Sequence, residues 1–260
     1  MKRVAVNYVT FARDLQWMDY TLGSFRKHAK GFCNVDIIVP TTDSGLFGPL
    51  VERYSTPDCP VRIREFIEYP GKGFLHHLIM KCYADIFRPD ATHILHMDPD
   101  ALFSGPVTPD DYFVDDKPLL VVEKYSAIPI NKEGDWQGRL KWKAVTEMAL
   151  RFDCPYETMC RHPAIHKIET YRKVRDYIES VHGTPFTDFV LKQKNSFPQG
   201  FGEFNTLGAY AYEKMRDEYH FWDRGTLGVA GDPKSLVEQL RSYDGPHGGN
   251  NPAGIERAMK

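Results

Sequence analysis

Two carboxylates one residue apart, Asp98 and Asp100, directly follow the apolar run at residues 94–97. Such a run predicts a buried strand, and open α/β folds bind ligands at the carboxyl ends of their strands. Carboxylates are hard oxygen ligands that suit Mg²⁺ or Mn²⁺, and these ions in turn bind substrate phosphates. The spacing therefore predicts metal-dependent chemistry on a phosphate ester. A turn after a strand is the alternative, because Asp and Pro are ordinary turn residues.

The first half of the sequence supplies the elements that must hold this pair in place. Apolar runs alternate with helical spacing, which predicts strands at residues 4–8, 35–39, 61–67 and 94–97 and helices at 15–28, 46–54 and 74–87. A repeated β-α order predicts a mostly parallel sheet with right-handed crossovers. The acidic pair would then lie at the carboxyl edge of the fourth strand.

The second half has a different pattern. It predicts a strand at residues 119–122, helices at 144–152, 168–182 and 188–194, an aromatic-rich segment that extends to 222, and a loop at 243–253. There is no internal repeat and no low-complexity linker, and 260 residues can bury one full core. We therefore expect a single domain, residues 1–260.

Composition narrows the class of protein. Hydrophobic residues make up 42% of the chain and charged residues 26%, which is typical of a folded soluble protein. The net charge of −2 argues against a non-specific nucleic-acid binder, although a local basic groove stays compatible with it. The five cysteines form no C-x-x-C pair, which favours free thiols in a reducing compartment. With neither a signal-peptide run nor a bilayer-spanning segment, we expect a cytoplasmic protein.

Four stretches of the chain resemble a known family. They read K-C-Y-A-D-I-F at 81–87, H-I-L-H-M-D-P-D-A-L-F at 93–103, Y-E-T-M-C-R-H-P at 156–163 and F-G-E-F-N-T-L-G-A-Y-A-Y at 201–212. Together they resemble the GT-A-fold glycosyltransferases with an Asp-x-Asp motif. The branch they resemble is common in bacterial and phage genomes and includes enzymes to which glycosylation of hypermodified DNA bases is ascribed. A phage-encoded member would act in the host cytoplasm.

The resemblance covers most of the chain, from residue 4 to about 222. It implies an α/β, GT-A-like (Rossmann-like) fold, with a mostly parallel sheet flanked by helices and a C-terminal half rich in helices and loops. Residues 1–115 would form the half that binds a nucleotide sugar. Residues 116–260 would form the acceptor-binding half and the C-terminal tail.

The resemblance also implies a reaction, the transfer of a sugar from a nucleotide sugar, foremost a UDP-sugar, to an acceptor hydroxyl. Mn²⁺ or Mg²⁺ would neutralise the diphosphate leaving group as a Lewis acid. Asp100 is expected to be the more direct metal ligand, and Asp98 to hold the ribose or a metal-bound water. His247 is the candidate for a further metal ligand, because a Gly-flanked tail can fold over a bound nucleotide. A solvated tail histidine is the alternative, and His220 is a weaker candidate because its apolar neighbours favour a core role.

The end of the first strand is where the resemblance places the nucleotide base. Tyr8 and Phe11 are candidates to stack on the base, Thr10 is a candidate to read its edge, and Asp14 lies nearby. The alternative is that the aromatic side chains fill the core, which is the more frequent fate of Phe.

Lys81, on the helix before the acidic pair, is a candidate to reach a phosphate of the donor. Asp85 lies four residues further on and would share its helix face, so a surface ion pair of little energetic weight is the alternative. His76 and His77 on the same helix stay unassigned.

Glu203 is the candidate general base. It lies between Phe201-Gly202 and Phe204, and such apolar neighbours predict partial desolvation, which raises the pKa of a carboxyl group toward the working pH. Asn205 is a candidate to hydrogen-bond the donor sugar. The alternative for Glu203 is a carboxylate that caps the helix expected to follow.

The acceptor stays open between DNA and a glycan. Segment 132–143 interleaves cations with tryptophans, a pattern that suits phosphates and exposed bases, and an acceptor base in a duplex would have to be flipped out. The alternative is a solvated helix face with its tryptophans packed inward. The residues concerned are Lys132, Trp136, Arg139, Lys141, Trp142 and Lys143. Glu157 and Arg161 either shape the sugar or acceptor pocket or form an ion pair.

Three other classes compete with this interpretation. A nucleotidyltransferase shares the fold, but it usually carries a Gly-rich basic loop after the first strand, and residues 11–14 read Phe-Ala-Arg-Asp. A phosphatase of the haloacid-dehalogenase type carries its Asp-x-Asp near the N-terminus, whereas here the motif follows the fourth predicted strand. A binding module without catalysis is the third alternative.

Overall fold

The computed structural model describes residues 2–127, 135–159, 163–196 and 200–224, with the short stretches 237–239, 241–242 and 249–250. The strands are β1 (Val4–Val9), β2 (Asn34–Pro40), β3 (Val61–Phe66), β4 (His93–His96), β5 (Ala101–Phe103), β6 (Phe113–Val114), β7 (Lys117–Lys124), β8 (Tyr156–Glu157), β9 (Ala164–Lys167), β10 (His220–Asp223), β11 (Val237–Gln239), β12 (Arg241–Ser242) and β13 (Gly249–Asn250). The α-helices are α1 (Leu15–His28), α2 (Gly48–Tyr54), α3 (Gly73–Cys82), α4 (Ala84–Phe87), α5 (Asp135–Leu150), α6 (Ile168–His182), α7 (Phe186–Leu191) and α8 (Glu203–Lys214).

The central sheet has the strand order β3-β2-β1-β4-β9. Its first four strands run parallel, and β9 runs antiparallel to β4. Every residue of β1, β2 and β4 is buried, which is the pattern of a sheet covered on both faces. On β4, Ile94 belongs to a core that includes α6 and α8, and its neighbour Leu95 to a core that includes α1. The predicted fold, a mostly parallel sheet flanked by helices, is confirmed.

The long helix expected at 74–87 is two helices, because the chain bends at Tyr83 (φ −105°, ψ 15°). Beyond the bend, Asp85 forms an ion pair with Arg175 of α6, at 2.6 Å and 2.8 Å. The guanidinium of Arg175 also lies 4.4 Å from the centre of the Tyr83 ring. The expectation that Lys81 and Asp85 share one helix face is therefore wrong. The ion pair thus joins α4 to a helix that is distant in the sequence.

Strand β9 was not expected from the sequence. It has four residues and carries His166 and Lys167, so it lacks the apolar run that marks the other strands of the central sheet. Tertiary pairing forms it, with Leu95 opposite Ile165 and His96 opposite Ala164. A strand from the second half of the chain thus completes the sheet of the first half, next to the strand that ends at the acidic pair.

A second, smaller sheet has β7 at its centre. β10 runs parallel to β7, and β6 and β8 pair with it antiparallel. The strand predicted at 119–122 is the middle of β7, and the predicted helix at 168–182 is α6. Within the ranges described above, no helix has the length and apolar character needed to cross a bilayer.

Candidate active site

The candidate site lies where the strand order of the central sheet reverses. From β1 the chain continues to β2 on one side, whereas β4 lies on the other side of β1. The two strands end together, since the Met97 N–H donates to Asn7 O at 3.0 Å. Ligands of open α/β sheets bind in the crevice beside such a reversal. The residues that follow β1 and β4 therefore lie beside the crevice where a ligand is expected to bind.

Asp98 and Asp100 occupy a fixed turn after β4, as the sequence predicts. The Ala101 N–H donates to Asp98 O at 3.1 Å, and the Thr21 hydroxyl of α1 donates to Pro99 O at 2.7 Å. The two carboxylates differ in environment, because the side chain of Asp98 is 29% exposed whereas Asp100 is only 1% exposed. Asp98 is thus the more accessible carboxylate of the pair, whereas Asp100, expected to be the more direct metal ligand, is buried.

Lys81 joins the acidic pair to Glu203. Its Nζ lies 2.9 Å from Glu203 Oε1 and 3.3 Å from Asp98 Oδ1, and the Lys81 and Glu203 side chains are both buried. The ammonium also lies 4.6 Å from the centre of the Phe204 ring. Three residues that the sequence analysis proposed separately therefore form one cluster. The alternative of a surface ion pair for Lys81 is wrong, because this lysine is buried.

The charges of this cluster support one another. Burial by itself lowers the pKa of Lys81, but the carboxylates of Asp98 and Glu203 outweigh it and hold that pKa above its usual value. Lys81 is therefore a permanent cation at this site. Removing one member of a buried ion pair leaves its partner uncompensated, so each charge here depends on the others.

Glu203 is the first residue of α8 and does not act as its cap. The N-cap position is Gly202, and the Glu203 carboxylate accepts a hydrogen bond from Lys81 instead. A negative charge in the first turn of a helix is favoured by the helix dipole. Glu203 is thus held at the start of α8, where it accepts the hydrogen bond from Lys81.

Asn205, one half-turn further along α8, is anchored by Thr158. The Thr158 N–H donates to Asn205 Oδ1 at 2.8 Å, and the Thr158 hydroxyl donates to Phe204 O at 3.0 Å. The amide is thereby oriented, and Asn205 Nδ2 is buried with no hydrogen-bond partner among the described residues. Gly208 permits this approach, since a Cβ at that position would lie 2.2 Å from Thr158 Oγ1. Thr158 and Gly208 were not singled out from the sequence, which carries no signal for this contact.

Three of the residues proposed for the nucleotide-base site are buried. Tyr8 has no exposed surface and belongs to the core that includes α1, so in this arrangement it cannot stack on a base. Thr10 is 1% exposed, and its N–H donates to Ile38 O at 3.0 Å. Asp14 is buried too and lies 3.8 Å from Arg13. The core role, which was the alternative for the aromatic side chains, describes Tyr8.

Phe11 is the member of that group that borders open space. It lines a cleft of about 320 Å³ together with residues that follow β1, β2 and β3 and residues at the start of α3, which are Ala12, Arg13, Asp43, Glu68, Gly73, Phe74 and His77. Asp43 shapes the loop because its Oδ2 accepts the Ala12 N–H at 2.7 Å. The cleft adjoins the end of β1, where the nucleotide base is expected to bind.

His77 connects this cleft to the charged cluster. Its Nε2 donates to Val9 O at 3.1 Å, and its ring lies 6.0 Å from that of Phe11. The pKa of His77 is lowered to about 3, mainly by burial and also by the charge of Lys81, while Asp98 opposes the change, so the imidazole is neutral. His77 and Lys81 are four residues apart and share one face of α3. That spacing was the signal that would have assigned His77 from the sequence.

The donor set at Asp98 and Asp100 fits a hard divalent cation. Both side chains offer carboxylate oxygens, and Mg²⁺ is commonly held by one or two carboxylates plus substrate phosphates. No group of three or more His, Cys, Asp or Glu side chains suited to a metal occurs within the residues that the structure describes. His247, the proposed further ligand, lies outside those residues. Within the described residues, Asp98 and Asp100 are thus the two side chains expected to bind the cation.

The basic segment proposed to contact DNA is described only in part. Trp142 is buried, and Lys143 forms ion pairs with Glu147 and Asp153. These two residues follow the inward-packed alternative. The side chains of Lys132, Trp136, Arg139 and Lys141 lie outside the description, as does Arg161. Glu157 is buried on β8, and His220 is partly buried on β10.

No protein-family model matches this sequence, and no curated protein sequence matches it. Among solved structures, the glycosyltransferase GlyE of Streptococcus pneumoniae TIGR4 aligns with 100% of this chain, with a TM-score of 0.54 and 9% identity. The alignment spans 61% of the GlyE chain. Mouse xyloside xylosyltransferase 1 in its apo form aligns with 86% of this chain and 85% of its own, with a TM-score of 0.45 and 15% identity. The likeness to GlyE shows a common fold, which agrees with the GT-A-like architecture expected from the sequence.

Proposed function

We propose that this protein is a glycosyltransferase that moves a sugar from a nucleotide sugar to an acceptor hydroxyl, with a divalent cation held at Asp98 and Asp100. The observation that carries the proposal is the cluster in which buried Lys81 joins Asp98 to Glu203, beside the strand-order reversal of the sheet. The common fold with GlyE, which is described as a glycosyltransferase, supports it. A cluster of this kind provides an acidic site for a cation and a carboxylate for proton transfer, joined through one lysine.

In this proposal the role of each residue follows from its position in the site. Mn²⁺ or Mg²⁺ bound at the acidic pair supplies the positive charge that neutralises the diphosphate as it leaves. Glu203 takes the proton of the acceptor hydroxyl, and the acceptor oxygen forms its bond to the anomeric carbon. The bond from that carbon to the phosphate oxygen breaks, and its electron pair leaves with the nucleotide diphosphate. Direct displacement of this kind inverts the anomeric configuration.

Two further groups have proposed roles in donor binding. Asn205 Nδ2, oriented by Thr158 and lacking a partner among the described residues, is the donor for an oxygen of the bound sugar. The cleft beside Phe11 is proposed for the nucleotide, with a UDP-sugar as the first donor to test. A neutral His77 in its wall adds no charge that would compete with Lys81 for the phosphates.

The acceptor is proposed to carry a hydroxyl on a glycan or on a hydroxylated DNA base. The described part of segment 132–143 gives DNA no added support, because Trp142 is buried and Lys143 is ion-paired. Both acceptor classes therefore belong in the same assay. Product mass identifies the sugar transferred, and the anomeric configuration of the product, read by NMR, tests inversion.

Thermal unfolding with a panel of nucleotide sugars, with and without Mn²⁺, is the first test. A ligand that binds only the native state raises the unfolding temperature by mass action. We expect one donor to raise it only in the presence of metal, and Asp100→Ala to abolish that rise. Glu203→Gln should keep the rise and lose turnover. A rise with nucleoside triphosphates alone would favour nucleotidyl transfer, and donor binding without turnover on any acceptor would favour a binding module.

A further inference from the structure

Lys81 lies close enough to Asp98 to neutralise the charge of its carboxylate. Its ammonium lies 3.3 Å from Asp98 Oδ1 while also lying 2.9 Å from Glu203 Oε1. Lys81 is 4% exposed, so water screens these contacts poorly. The Lys81 ammonium therefore already pairs with the carboxylate at which the proposed divalent cation would bind.

We propose that Lys81 is a built-in competitor for the metal site, which a divalent cation must displace from Asp98 before the donor can bind. This inference rests on the proposed function. Two cations that share one carboxylate repel each other, and the repulsion is strong where water is excluded. Cation binding at Asp98 therefore weakens the Lys81–Asp98 contact.

The other contacts of Lys81 make the displacement local. The bond to Glu203 and the approach to the Phe204 ring at 4.6 Å do not involve Asp98 and keep the ammonium in its buried position. A lysine stem is flexible, so Nζ can leave one carboxylate without a change in the backbone. Lys81 then keeps its contacts with Glu203 and with the Phe204 ring. Loading of the cation at Asp98 is in this way coupled to the surroundings of Glu203.

Mn²⁺ binding measured without any donor tests the competition. Electron paramagnetic resonance of unbound Mn²⁺ gives the dissociation constant for the wild type, Lys81→Met and Lys81→Arg. Removal of a neighbouring cation should tighten Mn²⁺ binding by about tenfold or more in Lys81→Met, by analogy with the effect of nearby charges on proton binding. Lys81→Arg, the matched control, keeps the charge and should stay within about threefold of the wild type. Equal or weaker Mn²⁺ binding by Lys81→Met would overturn the proposal.

A measurement on the wild type keeps the proposal falsifiable if Lys81→Met does not fold. The side-chain ammonium signal of Lys81, assigned by its absence in Lys81→Arg, can be followed by NMR during titration with diamagnetic Mg²⁺. We expect the signal to shift, and the ammonium protons to exchange faster with water, as Mg²⁺ binds to Asp98. An unchanged signal at saturating Mg²⁺ would overturn the proposal.

These outcomes separate the inference from the proposed function. No Mn²⁺ binding by any of the three proteins would overturn both the metal site and the competition. Tighter binding by Lys81→Met without sugar transfer by the wild type would support the competition and count against the glycosyltransferase. Sugar transfer by the wild type with equal Mn²⁺ affinity in all three proteins would leave the function standing and refute the competition.

Discussion

Arg175 and Asp85 form a two-bonded ion pair that ties α6 to the first turn of α4, with nitrogen–oxygen distances of 2.6 Å and 2.8 Å. Both side chains are largely buried, and Arg175 also donates to the carbonyl of Cys82, near the end of the helix that carries Lys81. The pair therefore supports the candidate site without touching it.

We expect Arg175→Ala to lower the free energy of unfolding by about 3–5 kcal/mol, because it leaves the Asp85 charge with no partner in a largely buried place. Urea denaturation measures the change. Arg172→Ala is the matched control on the same helix, since Arg172 is 78% exposed and pairs with Asp176 at 3.4 Å. The control should change stability by less than about 1 kcal/mol. Similar losses in the two variants would contradict the role given to Arg175.

Gly208→Ala should destabilise the protein although alanine is the better helix former. The added Cβ would lie 2.2 Å from Thr158 Oγ1, so either α8 or Thr158 must move. Overpacking of this kind typically costs about 1–3 kcal/mol, which outweighs the gain of about 1 kcal/mol in helix propensity. Gly45→Ala is the control, because a Cβ there meets nothing within 4 Å. Thermal unfolding of both variants decides the matter, and a Gly208→Ala protein as stable as the wild type would refute the close packing.

Thr158→Val should lower kcat and leave KM for the donor nearly unchanged, if the proposed function holds. The substitution removes the hydroxyl that donates to Phe204 O and so loosens the first turn of α8, from which Glu203 projects. A small displacement of a reacting group typically reduces rates by about tenfold to a hundredfold. Thr158→Ser keeps the hydroxyl and should retain most of the wild-type kcat. Equal rates in Thr158→Val and Thr158→Ser would show that the hydroxyl does not position Glu203.

Because His166 is buried, we expect the protein to lose stability in acid. Burial lowers the pKa of His166 to about 3, against 6.5 for an ordinary histidine, and neither ring nitrogen has a hydrogen-bond partner among the described residues. Between these two pH values the unfolded chain binds a proton that the folded chain does not, so lowering the pH favours unfolding. His166→Phe should reduce the slope of unfolding free energy against pH by about 1.4 kcal/mol per pH unit in this window. The slope from urea denaturation at several pH values measures this, and an unchanged slope would exclude His166 as the source.

The parts of the fold set by local pattern were predictable from the sequence. Helices α1 and α6 begin and end where the apolar spacing predicts, and β4 delivers Asp98 to the sheet edge as the run at 94–97 predicts. The α3–α4 bend was not predictable, because the ion pair that accompanies it joins residues 85 and 175, far apart in sequence. Strand β9 forms only by pairing with β4 and has no run of its own.

The residues of the candidate site could be predicted from the sequence, but the contacts between them could not. Asp98, Lys81 and Glu203 stand out by residue type and neighbours, yet 122 positions separate Lys81 from Glu203, and nothing local links them. Tyr8 and Phe11 look equivalent in sequence, but Tyr8 lies within β1, all of whose residues are buried, whereas the chain leaves the strand before Phe11. A burial pattern that depends on where a strand ends cannot be read from composition.

The pairing of β9 with β4 has a consequence for how the chain acquires its fold. In a fragment that stops at residue 115, β4 would be an edge strand with one row of backbone groups exposed, and such edges promote association between molecules. The β4 edge of this sheet is covered only when residues 164–167 pair with it. This pairing is therefore a late and non-local step of folding. The stretch of chain that ends at Asp98 is therefore stabilised by a segment made more than sixty residues later.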